Sequence, residues 1–130
     1  MADSSIVREW LEKADEDFQF AQTNLTSGSE FYAQISFHFQ QAAEKYLKAY
    51  VIAKGLAFEK THDLVHILRI CASFEPEFHA LKEDCIILNT SYIETRYPVH
   101  WPMDYTKETA EQSRTAAANI ARTVRHQLGM

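Results

Sequence analysis

The sequence has little of what strand-rich, secreted or membrane-spanning proteins contain. Only three glycines and three prolines occur in 130 residues, which is few for a chain of short strands and tight turns. No apolar run approaches the roughly 18 residues that a membrane helix needs, and no signal-peptide core is visible. Cys71 and Cys85 lie on apolar helical faces without a metal or redox motif nearby, so we expect reduced, packed thiols. These absences predict a cytoplasmic protein without a membrane segment.

The composition and charge are those of an ordinary folded domain. Hydrophobic residues make up 46% of the chain and charged residues 24%. The net charge of −5 argues against a protein that coats nucleic acid through bulk electrostatics, although it leaves room for a local basic site. A chain of 130 residues can bury a core without disulfides or metal. We therefore expect a single domain over residues 1–130 that needs no cofactor.

Apolar residues recur with helical spacing from the start of the chain, and the first two predicted helices form a long hairpin. The pattern predicts helices over about 4–25 and 29–54, antiparallel because their connection is short. Ser27, with Glu30 three residues later, has the signature of a capping box that would start the second helix. Gly55 suits the left-handed residue that ends it.

Three shorter helices are predicted after the hairpin. Thr61 is a good N-cap for the third, and Pro76 fits the first position of the fourth. The fourth should end near Arg96, because Pro98 disfavours helical geometry in the residue before it. Asp104 can cap the fifth. The fold class is therefore all-α, an antiparallel bundle of about five helices built on the N-terminal hairpin. Its predicted core includes Phe18, Phe39, Ala43, Tyr46, Leu68, Leu88 and Ile120.

Four segments together carry a family resemblance. They are WLEKADED at 10–17, QQAAEKYLKA at 40–49, THDL at 61–64 and TRYP at 95–98. In this order and spacing the chain resembles the small single-domain HEPN (higher eukaryotes and prokaryotes nucleotide-binding) proteins of prokaryotes over about residues 8–128. The resemblance implies a helical bundle that is usually dimeric. It also implies a protein that works beside a minimal nucleotidyltransferase, as one half of a toxin–antitoxin-like pair.

The resemblance also implies one specific chemistry, which this sequence matches only in part. Some HEPN proteins are metal-independent ribonucleases that use an Arg and a His separated by four to six residues. Here Arg96 and His100 are separated by three residues, and one of these is Pro98. An always-charged Arg and a titrating His suit phosphate contact and proton transfer. Three interpretations stay open for Arg96: a clamp that anchors a loop, an active pair with His100, or a non-catalytic phosphate or nucleotide contact in which Tyr97 takes part.

Two lysines in the second helix invite a phosphate-binding interpretation. Lys45 and Lys48 lie near the middle of a helix lined with glutamines. Glu44, four residues before Lys48, has the favoured orientation for a helical ion pair. We therefore predict a solvated or intersubunit ion-pair face and keep both lysines as candidate ligand-binding residues.

His62 and His66 are four residues apart, a spacing that can chelate a metal ion. No carboxylate nearby completes an HExxH-type site, and Asp63 lies off the face that the two histidines share. We therefore expect no metal site. His62 and Asp63 are expected to satisfy the start of the third helix and to contact an adjoining helix, and both are candidate ligand-binding residues.

Two functional hypotheses follow. The first is a HEPN binding and interaction module, a homodimer that pairs with a minimal nucleotidyltransferase and binds a nucleotide or RNA. The alternative is a metal-independent HEPN ribonuclease that uses Arg96 and His100. The short spacing and the acidic net charge favour the first. Dimerisation is expected from the family resemblance and from a set of aromatic residues that offers more aromatic surface than a monomer comfortably exposes, although some of them should lie in the core: Phe31, Tyr32, Phe37, Tyr92, Tyr97 and Trp101.

Overall fold

A computed structural model describes residues 3–96 and 105–130, which fold into five α-helices and one 3₁₀ helix without a strand. The α-helices are α1 (Ser4–Thr26), α2 (Tyr32–Ala53), α3 (Leu64–Phe74), α4 (Lys82–Arg96) and α5 (Lys107–Gln127), and the 3₁₀ helix is Pro76–Leu81. The predicted all-α bundle is confirmed. Helix α2 is its centre, because it packs against all four other α-helices.

Helices α1 and α2 form the predicted antiparallel hairpin, but the predicted capping box is wrong. Helix α2 begins only at Tyr32, after an N-cap residue, Phe31, that makes no side-chain hydrogen bond. The amide of Ser27 donates to the carbonyl of Thr23, so this residue still belongs to the end of α1. Gly28, at φ +89°, then turns the chain out of α1 through a conformation that favours glycine.

The predicted end of α2 is confirmed, and the predicted start of α3 is wrong. Gly55 has φ +64°, the left-handed conformation expected of a residue that ends a helix. Asp63, not Thr61, is the N-cap of α3, because its carboxylate accepts hydrogen bonds from the amides of Val65 and His66. The hydroxyl of Thr61 accepts from the amide of Asp63 and stabilises the turn before the cap.

The remaining helix boundaries are close to those predicted. Pro76 begins a 3₁₀ helix that Glu75 caps, and α4 continues from it and ends at Arg96. Asp104, the predicted cap of α5, lies outside the described residues. Thr106 caps α5, and its side chain and that of Thr109 bond each other's backbone amides.

The core lies around α2 and contains most of the predicted residues. Phe39, Ala43, Tyr46, Leu68, Leu88 and Ile120 are buried, whereas Phe18 is only partly buried, with its ring against Phe39. Cys71 and Cys85 are buried, reduced thiols, as expected. Burial raises the pKa of each thiol to about 12. In the part of the chain that the structure describes, no helix is both long and apolar enough to cross a membrane.

Candidate functional site

The polar face of α2 is covered by the chain itself. Gln40, Glu44 and Lys48 are all buried, because the segment 55–63 between α2 and α3 lies over them. The prediction of a solvated or intersubunit ion-pair face is therefore wrong. The i, i+4 spacing correctly indicated the ion pair, but it carried no information about which segment packs over it.

Glu44 is the centre of a buried polar network. Its Oε2 atom is 2.9 Å from Lys48 Nζ, and its Oε1 atom is 2.8 Å from His62 Nδ1. The side chains of Glu44 and Lys48 are 7% and 8% exposed, whereas that of His62 is 48% exposed. Gln40 Nε2 donates to the carbonyl oxygen of His62 at 3.3 Å. The network thus fastens the start of the third-helix region to α2 and leaves one edge of the His62 ring near solvent.

The two candidate lysines of α2 do not converge. Lys48 Nζ pairs with Glu44 and lies 5.5 Å from the ring centre of Phe58. Lys45 instead forms a short ion pair with Asp17 on α1. Both lysines are already paired with carboxylates of the same chain, so neither has a free ammonium group to bind a phosphate.

The ring of His62 also contacts helix α4. The rings of His62 and Tyr92 stack at 4.4 Å between centres with an interplanar angle of 19°. Tyr92 in turn stacks on Phe37 of α2 at 6.1 Å. The sequence indicated Tyr92 as one of the aromatic residues that favour a dimer, but it gave no signal that Tyr92 would contact His62, because that contact depends on the tertiary packing of α4.

Asn89 is a site residue that the sequence did not suggest. Its Oδ1 atom accepts from the amide of Leu64, and its Nδ2 atom donates to Asp63 Oδ1, both at 2.8 Å. Asp63 is thereby held as the cap of α3. Burial acts to raise the pKa of Asp63, but the hydrogen bonds from Asn89 and from the amides of His66 and Val65 outweigh it and lower that pKa.

These contacts leave an open cleft between the 60–63 segment and α4. It has a volume of about 450 Å³ and is lined by Lys60, Thr61, His62, Asp63, Asn89 and Tyr92. Arg96, the last residue of α4, follows Tyr92 by four positions. Tyr97 and His100 lie outside the described residues, so the pairing of Arg96 with His100 stays a prediction.

The two predicted candidates, His62 and His66, contact different carboxylates. His62 bonds Glu44, and His66 Nε2 lies 3.0 Å from Glu59 Oε1. Across residues 3–96 and 105–130, no group of three or more His, Cys, Asp or Glu side chains is arranged to hold a metal ion.

A second polar cluster joins α1, α2 and α5. The hydroxyl of Tyr46 donates to Asp15, and Arg125 pairs with the same carboxylate at 2.7 Å. Burial, and then the hydrogen bond to Asp15, raise the pKa of Tyr46 above its usual range. Because each side chain is satisfied by the other two, we interpret this cluster as a link between three helices. The sequence gave no signal for it, since Asp15 and Arg125 are 110 residues apart.

Comparisons with known proteins agree with the fold. The family model described as the HEPN domain matches residues 7–127. The chain belongs to the HEPN family. A search of curated proteins gives no match.

Solved structures of other proteins share this fold. A protein from Thermus thermophilus is 32% identical with a TM-score of 0.77, and the match covers 92% of this chain and 96% of that one. An archaeal HEPN homologue is 25% identical with a TM-score of 0.74, covering 93% and 96%. A protein from Sulfolobus solfataricus is 15% identical with a TM-score of 0.62, covering 89% and 96%, and it supports the fold alone.

Proposed function

We propose that this HEPN protein is a binding module that holds a nucleotide or a short RNA without cutting it. The observation that carries the proposal is the cleft at the start of α3. There the stacked His62 and Tyr92 rings and the exposed cation Lys60 line one cleft, and Tyr92 precedes Arg96 by four positions on α4. HEPN membership adds to the expectation of a nucleotide or RNA ligand, although a fold alone does not assign chemistry.

The groups in the cleft suit a ligand that has both a planar base and a phosphate. Stacking of a base on an aromatic side chain contributes about 1–3 kcal/mol. A lysine or arginine on a phosphate oxygen adds a charge-assisted hydrogen bond. Because the chain carries a net charge of −5, the ligand should be short, since a long polyanion would be repelled.

Binding without cleavage is favoured by the spacing of the Arg and His residues. Arg96 and His100 are one residue short of the interval that HEPN ribonucleases use, and Pro98 restricts the chain between them. Lys45 and Lys48 are unsuited to replace a missing catalytic cation, because both are paired with carboxylates.

We further propose that the protein acts as a homodimer beside a minimal nucleotidyltransferase, in a toxin–antitoxin-like pair. The family resemblance supports this partner. Two exposed apolar side chains near the connected end of the α1–α2 hairpin support an interface there: Phe31, in the turn between α1 and α2, is 73% exposed, and Phe20, in the last two turns of α1, is 52% exposed.

The test compares Arg96→Ala with the parent protein. We expect binding of AMP or of a short RNA, measured by calorimetry or anisotropy, to weaken about tenfold or more, because a hydrogen bond to a charged group contributes roughly 1.5–3 kcal/mol. The melting temperature should not change. Arg122→Ala is a matched control, because exposed Arg122 also precedes a histidine, His126, by four positions.

Two outcomes would contradict parts of the proposal, namely the ligand contact of Arg96 and binding without cleavage. Lost stability with unchanged binding would make Arg96 a clamp for its loop. Cleavage of RNA that disappears in both Arg96→Ala and His100→Ala would show that the ribonuclease alternative is correct.

A further inference from the structure

The buried carboxylate of Glu44 determines which edge of the His62 ring faces the cleft. Glu44 Oε1 lies 2.8 Å from His62 Nδ1, and the carboxylate is held in place from its other side by Lys48. Because an ionised carboxylate can only accept, Nδ1 must be the protonated nitrogen of this contact. The opposite ring nitrogen, Nε2, has no hydrogen-bond partner among the described residues, and the side chain is 48% exposed.

A fixed Nδ1–H leaves Nε2 with two roles that depend on protonation. In the neutral ring Nε2 is an acceptor, and in the charged ring it is a donor. A phosphate oxygen is an acceptor and carries negative charge, so it can bond Nε2 only when the ring has taken up a proton. The attraction of the anion for the charged ring then adds to the hydrogen bond.

The charged groups around His62 are compatible with a protonated, positively charged His62 ring. Glu44 and Lys48 face it from α2, and together they carry no net charge. Tyr92 faces it from α4 and stacks on the ring. Lys60 and Asp63 line the same cleft from the segment of His62 itself. A proton on His62 would therefore make the cleft net positive.

From this geometry we propose that Glu44 is a positioning residue and that His62 Nε2 is the phosphate contact of the bound nucleotide, which the protein takes up together with one proton. The inference rests on the proposed function, because it concerns the ligand of the same cleft. It adds a chemical specificity: a nucleotide with a phosphate should bind in a pH-dependent way, and a nucleoside without one should not.

The positioning role can be tested without any ligand. Nitrogen-15 chemical shifts of the neutral His62 ring in the parent protein should report the Nδ1–H tautomer. In the double variant Glu44→Gln/Lys48→Met, which removes both buried charges together, both tautomers should be populated. An Nε2–H tautomer in the parent protein would overturn the inference, as would an unchanged tautomer in the folded double variant.

The proton uptake can be tested by calorimetry in two buffers of different ionisation enthalpy. The probe is the dinucleoside monophosphate ApA, whose phosphodiester does not titrate near neutral pH, and adenosine serves as the probe without phosphate. At a pH where the free ring is neutral, we expect ApA to bind with uptake of about one proton. Its Kd should rise about tenfold per pH unit, as one linked proton requires. Adenosine should bind without proton uptake.

Variants of the two neighbouring histidines distinguish this contact from others. His62→Asn should abolish the proton uptake and weaken ApA binding about tenfold, whereas His66→Asn should behave as the parent protein, since His66 pairs with Glu59. Binding of ApA with the same proton uptake in His62→Asn would refute the inference and leave the proposed function intact. If neither probe nor a short RNA binds the parent protein, the proposed function and this inference fail together.

Discussion

Glu44 bonds two partners, Lys48 and His62, through a carboxylate that is almost fully buried. Its side chain is 7% exposed, and each of its oxygens has its own partner, Lys48 or His62. Burying such charges costs solvation free energy, which the mutual attraction offsets only while all partners are present. Removing one partner alone leaves a charge buried without compensation.

We therefore predict that Glu44→Gln lowers the free energy of unfolding by roughly 3 kcal/mol, the order seen when one member of a buried pair is removed. Urea denaturation measures the loss. The control is Glu16→Gln, because Glu16 pairs with Lys13 on the exposed face of α1. That change should alter stability by less than about 1 kcal/mol. Equal effects of the two substitutions would contradict this account of Glu44.

The two cysteines give a prediction about reactivity. Both thiols are buried, and burial raises the pKa of each to about 12 from an ordinary value of 9.0. The thiolate is the reactive form, so a thiol reagent near neutral pH should label neither cysteine in the folded protein and both in urea. Rapid labelling of folded protein would show that one of the thiols is accessible.

The same shift makes stability depend on pH. Because the folded-state pKa of each thiol is raised, its contribution is fully present below pH 9 and is lost as the pH rises towards 12. Linkage then predicts that the free energy of unfolding falls by roughly 2 kcal/mol between about pH 9 and pH 10 for the two thiols together. Urea denaturation of the parent protein and of Cys71→Ala/Cys85→Ala, which should lose less over this interval, measures the effect.

At the scale of the helices, periodicity predicted which segments are helical, and capping chemistry predicted their ends less well. Thr61 was expected to cap α3, but Asp63 has the advantage of a carboxylate that Asn89 holds in place from α4. Asn89 lies 26 residues further along the chain, so no local pattern could report its help. The predicted capping box at Ser27 is absent because Ser27 caps the C-terminal end of α1.

The contributions of Asp63 and Thr61 to the start of α3 can be compared by mutation. Asp63→Ala should lower the free energy of unfolding by about 1 kcal/mol, the usual loss for a missing cap. Thr61→Ala should cost less, because it removes only a contact within the preceding turn. The pKa of Asp63 is lowered in the folded protein, so its contribution is present at neutral pH and is lost as the pH falls through the folded-state value. A larger loss from Thr61→Ala would restore the original assignment of the cap.

At the scale of the whole molecule, the all-α bundle and the family followed from the sequence, whereas the cleft did not. The predicted residues His62 and Asp63 line it, but Tyr92 and Asn89 reach it only because α4 packs against α2 and α3. Lys45 and Lys48 are equivalent candidates in the sequence, but they pair with carboxylates on different helices, Asp17 on α1 and Glu44 on α2. Arg96 is the last residue of α4. The roles of Tyr97 and His100 stay predictions.

The assembly gives the next prediction. We expect a dimer in sedimentation at micromolar concentration, and we expect Phe20→Ser/Phe31→Ser to shift it to a monomer if the turn between α1 and α2 is the interface. Phe74→Ser is the matched control, because Phe74 is 54% exposed on α3, away from that turn. A parent protein that sediments as a monomer would contradict the proposed homodimer, and a dimer in all three proteins would place the interface elsewhere.

The cleft beside α3 and α4 is proposed to bind a nucleotide. The most direct measurement is the change in backbone amide chemical shifts as AMP is titrated into the protein labelled with nitrogen-15. We predict that the largest changes fall on residues 60–63, on Asn89 and on Tyr92, which line the cleft. No saturable change, or changes confined to the separate cleft lined by Trp10, Lys13 and Lys45, would contradict the claim.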